Sequence, residues 1–336
     1  MRALFLGGSG LISGAVSQLA VEKGWDLTLL NRGQRPAFMP EGITHIQCDM
    51  GDQQRMQELF RDAAYDVVVQ WVGFEPTRVE KDAALFLGKT GQYIFISSAA
   101  AYERPMKRYL VTEDMPLNNR FWPYGQNKRL CEDACMKAYR EKGFPITIVR
   151  PSLTYGDTQI PFAMGSWGKP WSLCRRILEG KPIISPGDGT SLWSITHNSD
   201  FAKGFVGLMG HPQAIGEAFH IVTDEVLTWD QIALYIGDAL GKTPQIVHMS
   251  ADQIARFLPE KYGDLLGDKS SSTVFDCSKL RRLVPDFVCT TPFHLGVRKS
   301  VQYFLDHPEL QTIDETWDAA IDALVEADKL VYPKKA

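Results

Sequence analysis

A short apolar run at the very start of the chain leads directly into a glycine-rich turn. Residues 3–6 predict a buried strand, residues 7–10 read Gly-Gly-Ser-Gly, and residues 11–23 have a helical periodicity that stops at Gly24. Glycines allow a tight turn and let backbone N–H groups approach a pyrophosphate, which the helix N-terminus also attracts. This strand, loop and helix predict the first unit of a dinucleotide-binding α/β fold.

Strand-like segments alternate with helical ones through the first half of the chain, a pattern typical of a parallel sheet covered by helices. Each strand-like segment is apolar almost throughout, as expected for strands buried on both faces. After the first strand, strands are predicted at residues 26–30, 44–48, 66–71, 92–97 and 145–150, with a helix over 124–142 before the last of them.

The pattern changes after Pro151, where a segment rich in Gly, Pro and Trp is followed by more helices and one further sheet-like strand. The predicted fold class is α/β, a doubly wound Rossmann parallel sheet with a smaller, interleaved C-terminal substrate lobe. We expect residues 1–160 plus about 191–223 to form the NAD(P)-binding domain, residues 161–190 plus 224–308 the substrate lobe, and residues 309–336 a helical tail. The tail is predicted to pack on the body or on a second subunit of a homodimer.

Charge and cysteine content argue against several classes of protein. The chain has 36 Lys and Arg against 40 Asp and Glu, a formal net charge of −4, so no global field attracts nucleic acid or anionic lipid. The 6 cysteines show no C-x-x-C pair and no zinc spacing, so we expect reduced thiols and no metal site. No segment has the pattern of a signal peptide or a membrane span, so we expect a cytoplasmic protein without a membrane partner.

The second predicted strand ends where the adenosine ribose of a dinucleotide should lie. Sites that prefer NAD usually place Asp or Glu there to bind the ribose 2′-hydroxyl, whereas this chain places Asn31 and Arg32. A guanidinium favours a 2′-phosphate, so the pair favours NADP over NAD. NAD stays open, because Asn31 is also able to bond a 2′-hydroxyl and Arg32 to point into water.

Tyr124 and Lys128 lie one turn apart on the same face of the predicted helix. An ammonium beside a phenol is expected to lower the phenol pKa, so that Tyr124 exchanges a proton with a substrate oxygen while hydride moves to or from a nicotinamide. Lys128 is also expected to bond the nicotinamide ribose. Ser98 follows the fifth strand, at the sheet edge where ligands bind, and is expected to orient the same oxygen.

These features together resemble the extended short-chain dehydrogenases, the NAD-dependent epimerase/dehydratase family, over about the first 305 residues. The resemblance rests on the glycine loop, Ser98 four residues before Tyr102, the Tyr124-x-x-x-Lys128 spacing and the Arg-Pro-Ser-Leu-Thr-Tyr-Gly run at 150–156. It implies that Ser98, Tyr124 and Lys128 are catalytic. The loop, the second strand and the resemblance together give these expected cofactor contacts: Gly7, Ser9, Gly10, Leu11, Ile12, Asn31, Arg32, Asp49, Met50, Trp71, Val72, Gly73, Ser97, Tyr124, Lys128, Pro151 and Leu153.

The chain departs from this family at positions that hold a nucleotide sugar. Members with such substrates often carry Asn in the position of Leu153 and Arg in the position of Trp193, and neither replacement supplies the lost amide or charge. We therefore expect a free sugar or compact polyol, on which Trp167, Trp171 and Trp193 either stack or, equally, pack as core or lid. Ala99 and Ala100 replace the acidic pair of 4,6-dehydratases, which argues against elimination of water.

The leading hypothesis is hydride transfer at a hydroxyl or keto carbon of a small, carbohydrate-like molecule. The net reaction is epimerisation if the cofactor keeps the hydride and returns it, and dehydrogenation or reduction if the cofactor exchanges. An NADPH-dependent reductase of a non-nucleotide small molecule is one alternative. A non-enzyme is another, either RNA-binding, like some chloroplast proteins that resemble this fold, or redox-sensing. His197 is expected to be structural.

Overall fold

The computed structural model describes residues 1–34 and 38–331. The described strands, in chain order, are Arg2–Leu6 (β1), Asp26–Asn31 (β2), Thr44–Gln47 (β3), Tyr65–Gln70 (β4), Thr90–Ile96 (β5), Leu110–Val111 (β6), Ile146–Arg150 (β7), Thr154–Tyr155 (β8), Ile183–Pro186 (β9), Leu192–Trp193 (β10), Thr196–His197 (β11), Ala218–His220 (β12), Leu227–Thr228 (β13), Ile246–Met249 (β14) and Val274–Phe275 (β15).

The helices formed by the described residues lie between these strands and after them. In chain order they are Leu11–Glu22 (α1), Gln53–Leu59 (α2), Pro76–Phe86 (α3), Pro123–Lys142 (α4), Trp171–Leu178 (α5), Asn198–Leu208 (α6), Trp229–Leu240 (α7), Ala251–Phe257 (α8), Tyr262–Asp264 (α9), Ser278–Leu283 (α10), Phe293–Asp306 (α11) and Glu315–Val331 (α12). A short π-helix, Leu265–Lys269, directly follows α9.

Seven strands form one parallel sheet in the order β12-β7-β5-β4-β1-β2-β3. Strands β2 and β3 lie on one side of β1, and the chain then crosses to β4, which lies on the other side of β1. Strand order therefore reverses between β1 and β4, and ligands of such sheets bind outside the carboxyl ends of the strands at that point. The predicted α/β fold class is confirmed.

Alternate side chains of the central strands point to opposite faces of the sheet, and helices cover both faces. On one face Phe5 and Val69 pack with α1, α6 and α10. On the other face Leu6 and Val68 pack with α2, α3 and α4. Burial on both faces explains why these strands are apolar throughout.

The outer strand β3 differs from the prediction of a buried strand over 44–48. It is the last strand of the sheet on its side, and Thr44, His45 and Gln47 are exposed. The expectation of burial was wrong because an outer strand has a sheet neighbour on one edge alone, and its polar residues are typical of such a position.

A second apolar core lies in the C-terminal part of the chain. It contains Trp193 and Trp229, side chains of α5, α7 and α11, and Ile321, Leu324 and Val325 of α12. The last helix thus packs on the body of its own chain. Ion pairs also hold it there, since the buried Arg176 guanidinium lies 2.7 Å from carboxylate oxygens of both Asp318 and Asp322.

Candidate active site

A cleft of about 710 Å³ opens at the carboxyl ends of the central strands, beside the point where strand order reverses. The loops after β1, β4, β5 and β7 and the start of α4 form its walls. The structure brings together in this cleft the predicted residues Gly7, Ser9, Gly10, Leu11, Ile12, Asn31, Arg32, Asp49, Met50, Trp71, Val72, Ser97, Ser98, Tyr124, Lys128, Pro151 and Leu153.

The glycine loop after β1 contains two positions that only glycine can occupy without strain. Gly7 and Gly8 have φ angles of 107° and 94°, which side chains rarely tolerate. A Cβ atom at Gly8 would lie 2.7 Å from Leu29 Cδ2, so the loop also lies too close to the sheet for any side chain. The turn therefore aims the N-terminus of α1 into the cleft, where its unpaired N–H groups favour an anion.

At the far end of the cleft, Asn31 is tied into the loop that follows β2. Its side-chain oxygen accepts hydrogen bonds from the Gly33 backbone N–H at 2.7 Å and from His45 at 3.0 Å. Its amide nitrogen lies 3.5 Å from both Gly7 O and Ser9 Oγ. Arg32 is exposed and lines the cleft next to it. Asn31 thus holds two loops together, while the guanidinium of Arg32 is accessible to a ligand.

The loop after β4 is set by a buried polar network. Gln70 donates to Asp82 at 2.7 Å and accepts from the Val72 N–H at 2.9 Å, and Asp82 also accepts from the Tyr93 hydroxyl at 2.7 Å. Gly73 is a predicted cofactor contact that does not line the cleft. It is buried, a Cβ there would lie 2.7 Å from Phe95 Cε2, and its carbonyl instead accepts a hydrogen bond from Lys128.

Tyr124 meets Ser98 because α4 approaches the turn after β5 unusually closely. A Cβ at Gly125 would collide with the Ala100 carbonyl oxygen, so a larger residue would push the two segments apart. Asn119, which is fully buried, donates to that same oxygen at 2.7 Å. Burial raises the pKa of Tyr124, and a hydrogen bond with Ser98 acts in the opposite direction.

Lys128 is 2% exposed, and its ammonium donates to the carbonyls of Gly73 and Ile96, both at 2.8 Å. Burial lowers the pKa of Lys128 to about 8. The expectation that Lys128 lowers the pKa of Tyr124 was wrong in this structure. The ammonium lies 5.9 Å from the Tyr124 ring centre and is held by carbonyls, and desolvation of the phenol dominates.

Behind α4, a buried ion pair fixes the helix to the sheet. Arg150 of β7 donates to both carboxylate oxygens of Glu132, with Nη2 2.7 Å from Oε2 and Nε 2.9 Å from Oε1. Ser97 also donates to Glu132, and Arg150 donates to the Tyr102 hydroxyl at 2.7 Å. A bidentate pair of this kind fixes geometry as well as charge.

Another wall of the cleft is formed by residues Pro151 to Leu153, which follow β7. The Ser152 hydroxyl oxygen is buried and has no hydrogen-bond partner among the described residues, although Ser152 lines the cleft. An unpaired buried hydroxyl is costly unless a ligand completes it. Together with the glycine loop and the free N–H groups of α1, this orphaned hydroxyl fits a bound dinucleotide with its nicotinamide end near Tyr124.

Comparison with known proteins decides the family. A family model described as the NAD dependent epimerase/dehydratase family matches residues 3–222, which is well over half of the chain. The chain belongs to this family. It is an NAD-dependent enzyme of the extended short-chain dehydrogenase type, and the family prediction made from the sequence is confirmed.

Two curated relatives illustrate the range of proteins that this family member resembles. A 2'-dehydrokanamycin reductase from Streptomyces kanamyceticus is 24% identical over 298 residues, 85% of this chain and 80% of that protein. The chloroplast stem-loop binding protein of 41 kDa b from Arabidopsis thaliana is 27% identical over 261 residues. That match spans 74% of this chain and 65% of the chloroplast protein, slightly under two thirds of its length.

Solved structures show the same fold at low sequence identity. A UDP-glucuronic acid 4-epimerase from Bacillus cereus, in complex with UDP-glucuronic acid and NAD, has a TM-score of 0.73 at 20% identity and covers 91% of this chain and 99% of its own. Pal from Bacillus thuringiensis has a TM-score of 0.74 at 17% identity with the same coverage. These likenesses establish the architecture of this epimerase/dehydratase-family chain.

The three tryptophans considered from the sequence lie in different places in this family member. Trp171 and Trp193 are 5% and 1% exposed and belong to the C-terminal core, where the Trp193 ring centre lies 5.3 Å from that of Trp229. Trp167 is 63% exposed and lines the cleft. His197 accepts a hydrogen bond from the Ser199 N–H at the start of α6, and burial lowers the pKa of His197.

Sequence reasoning missed several residues that line the cleft. Ser13 had a signal, because it adjoins a predicted contact, whereas an isolated phenylalanine such as Phe74 is usually interpreted as core. Ser152 lies within the run 151–153 that the family resemblance places beside the nicotinamide. The missed lining residues are Gly8, Ser13, Gln34, Cys48, Phe74, Ile96 and Thr154.

Residues 1–34 and 38–331 contain neither a metal-binding cluster nor a membrane-spanning helix. No cluster of three or more His, Cys, Asp or Glu side chains there is arranged to hold a metal ion. No helix in those ranges combines the length and apolarity that crossing a membrane requires.

Proposed function

We propose that this chain transfers hydride between NADP(H) and one hydroxyl- or keto-bearing carbon of a compact, sugar-like molecule that carries no nucleotide. The observation that carries the proposal is the single cleft that contains the glycine loop, Ser98, Tyr124 and Lys128. Family membership supplies the redox chemistry, since the family is NAD dependent.

The side chains of the cleft support proton transfer coupled to hydride transfer. When bound, the nicotinamide ring supplies or accepts the hydride. In the reducing direction the substrate carbon gains that hydride, and its oxygen takes the proton from the Tyr124 hydroxyl. Burial raises the pKa of Tyr124, so the phenol holds this proton at neutral pH. Ser98, which lines the same cleft, orients the same oxygen.

Lys128 supports this arrangement as a fixed cation. Two of its three N–H donors are bound by the carbonyls of Gly73 and Ile96, which leaves one donor for a ribose hydroxyl or for the Tyr124 oxygen. Lys128 thus acts by holding the ribose and the loop after β4 in place, and not by lowering the pKa of Tyr124.

The absence of a nucleotide from the substrate is supported by two residues. Leu153 lines the cleft with an apolar side chain where sugar-nucleotide enzymes often have an amide. Trp193 is buried in the second core, so this position is not available to bind a phosphate. The 2'-dehydrokanamycin reductase, which this chain resembles over 85% of its length, is a relative whose name contains no nucleotide.

The preference for NADP is supported by Arg32. Its exposed side chain lies at the adenosine end of the cleft, and no carboxylate is found at the end of β2 to repel a 2′-phosphate. A guanidinium binds phosphate oxygens in a bidentate way.

The test is a 340 nm absorbance screen of NADP(H) and NAD(H) against free sugars, amino sugars and sugar nucleotides. We expect turnover of a nucleotide-free compound with NADP(H), and a loss of about 10²-fold or more in kcat for Tyr124→Phe, because the proton donor is removed. Tyr109→Phe, at a tyrosine that is 64% exposed, serves as the matched control and should leave kcat unchanged. Equal activity of wild type and Tyr124→Phe would disprove the role of Tyr124.

An epimerase with a retained cofactor is the second candidate. A UDP-glucose 4-epimerase from Lactobacillus helveticus is 29% identical over 170 residues, 45% of this chain. An epimerase that returns its own hydride keeps its cofactor, whereas an exchanging reductase releases it. Denaturing freshly purified protein therefore separates the two, since a stoichiometric nucleotide in the supernatant favours the epimerase.

A nucleic-acid stem-loop is a third candidate ligand, favoured only by the relative whose name describes stem-loop binding. The net charge of −4 opposes it. A salt-dependent gel shift of a stem-loop RNA at low micromolar protein would support this candidate against the enzymatic one.

A further inference from the structure

Two large aromatic side chains are exposed inside the cleft. Phe74 is 51% exposed on the loop after β4, and Trp167 is 63% exposed on the segment between β8 and α5. One therefore belongs to the Rossmann sheet side and the other to the C-terminal part of the chain. Exposed apolar surface of this size inside a cleft is typical of a surface that a ligand covers.

Phe74 lies beside the groups proposed to react. Its ring centre is 6.5 Å from that of Tyr124, and Lys128 Nζ is 4.7 Å from its ring centre. A molecule that contacts Phe74 therefore also lies next to the Tyr124 phenol, and Trp167 lines the same cleft.

The charges that line the cleft indicate what kind of molecule this aromatic end accepts. The charged lining residues in the described ranges are Arg32, Asp49 and Lys128. Arg32 and Asp49 follow β2 and β3, at the adenosine end, and the Lys128 ammonium is held by two carbonyls. Among the described lining residues, the aromatic end thus offers ring faces, hydroxyls and one remaining ammonium donor of Lys128, and it has no guanidinium for a diphosphate. The C–H faces of a pyranose ring fit such a surface.

Residues before and after Trp167 in the chain contact the N-terminal end of α12, and these contacts set the position of Trp167. Ser166, which is 7% exposed, donates to Asp314 at 2.7 Å, and Lys169 donates to the Ile313 carbonyl at 2.9 Å. The Trp317 indole N–H donates to the Met164 carbonyl at 2.9 Å. Three hydrogen bonds therefore hold residues 164–169 against the last helix.

That end of α12 is itself fixed. Asp314 accepts from the Trp317 N–H at 3.1 Å and so caps the helix, while its own N–H donates to Ser172 at 2.8 Å. Arg175 lies 2.9 Å from Asp318 one turn further along. The helix is thus a rigid support and not a loose tail.

We propose that Phe74 and Trp167 form a substrate subsite for a phosphate-free pyranose ring, and that the N-terminal end of α12 positions Trp167 in it. The inference rests on the proposed function, because it places the ring beside Tyr124. It makes Trp167 a specificity-determining residue and Ser166 a positioning residue.

The first test measures binding without turnover. NADP⁺-loaded protein is mixed with methyl α-D-glucopyranoside, kanamycin or UDP-glucose, and saturation-transfer NMR detects which protons contact the protein. We expect transfer to pyranose C–H protons of the first two probes, with a dissociation constant raised about tenfold in Trp167→Ala and largely restored in Trp167→Phe, because a phenyl ring still stacks. Phe74→Ala should weaken binding in the same direction.

Phe257→Ala provides the matched control, since Phe257 is 48% exposed and does not line the cleft. The affinity for NADP⁺ should be the same in all variants. No saturation transfer to either nucleotide-free probe, or transfer that Trp167→Ala leaves unchanged, would overturn the subsite. Tighter binding of UDP-glucose that depends on Trp167 would overturn the phosphate-free class.

The second test addresses the support from α12. Ser166→Ala removes one hydrogen bond to the helix and leaves the Asp314 cap intact. We expect weaker binding of the same probes with unchanged NADP⁺ affinity and an unchanged melting temperature, whereas Ser278→Ala, on the exposed start of α10, should change none of these. Equal probe affinity in Ser166→Ala and wild type would remove α12 from the proposal.

The outcomes of these tests are separable from those of the proposed function. Probe binding that depends on Trp167 but is accompanied by no hydride transfer in the 340 nm screen would sustain the subsite and defeat the proposed function. Hydride transfer with the same KM in Trp167→Ala and in wild type would sustain the proposed function and defeat the subsite.

Discussion

Gly125 is the residue that allows Tyr124 and Ser98 to meet. The residue lies directly after Tyr124 on α4, and a Cβ there would collide with the carbonyl of Ala100, two residues after Ser98. The helix and the turn after β5 can therefore lie this close only because residue 125 is a glycine. A substitution here acts on the catalytic pair without altering either of its members.

We expect Gly125→Ala to lower kcat by about tenfold or more and to destabilise the fold by about 1–3 kcal/mol, because α4 must move away from the turn. Steady-state kinetics and urea unfolding measure the two effects. Gln126→Ala, at the next and exposed position, is the control and should change neither. Full activity in Gly125→Ala would show that the spacing between Tyr124 and Ser98 does not matter.

Lys128 should set the alkaline limit of the reaction. Burial lowers its pKa to about 8, so the ammonium is lost as the pH rises through that value. We expect kcat/KM for reduction to be level at neutral pH and to fall above about pH 8, since this parameter reports the ionisation of the free enzyme.

The matched variant for this pH profile is Lys128→Arg. Arginine keeps its charge up to roughly pH 12, so the fall near pH 8 should disappear even if the rate is lower overall. A profile of Lys128→Arg that falls at the same pH as wild type would assign the ionisation to another group.

At the scale of elements, α4 presents three functional side chains on one face. Tyr124, Lys128 and Glu132 follow one another at intervals of four residues, so all lie on the side of the helix that faces the sheet. The first faces the cleft, the second binds the loop after β4 and the last residue of β5, and the third pairs with Arg150. The buried ion pair thus anchors the helix that carries the proton donor.

We expect Glu132→Gln to destabilise the protein by about 3–5 kcal/mol, because the buried Arg150 charge loses its partner. Asp133→Asn, which breaks the exposed pair with Arg129 on the same helix, should cost under about 1 kcal/mol. Urea unfolding of both variants gives the comparison. Similar losses in the two would indicate that the Glu132–Arg150 pair contributes no more than a surface pair.

For the whole molecule, the parts that the sequence predicted correctly are those with a strong local signal. The parallel strands were recognisable because burial on both faces makes them apolar throughout, and the glycine loop because Gly7 and Gly8 adopt angles that other residues avoid. The residues predicted to line the cleft lie at the ends of those strands, where topology alone brings them together.

The remainder depended on long-range packing that no local pattern contains. Trp167 and Trp193 look alike in the sequence, yet one is exposed in the cleft and the other is core, because α7 supplies Trp229 against Trp193. The pKa of Tyr124 was expected to fall and instead rises, since burial depends on segments far away in the chain. The contact of α12 with residues 164–169 likewise joins positions about 150 residues apart.

The order of strands in the sheet also determines which apolar faces are covered while the chain is still being synthesised. β7 and β12 are neighbours, but the segment that supplies β9 and α5 to the second core lies between them in the chain. A nascent chain that ends at Arg150 bears Phe5 and Val69 on a face that Phe205 of α6 has not yet covered. The first half therefore emerges from the ribosome with an apolar face that stays uncovered until α6 has been synthesised.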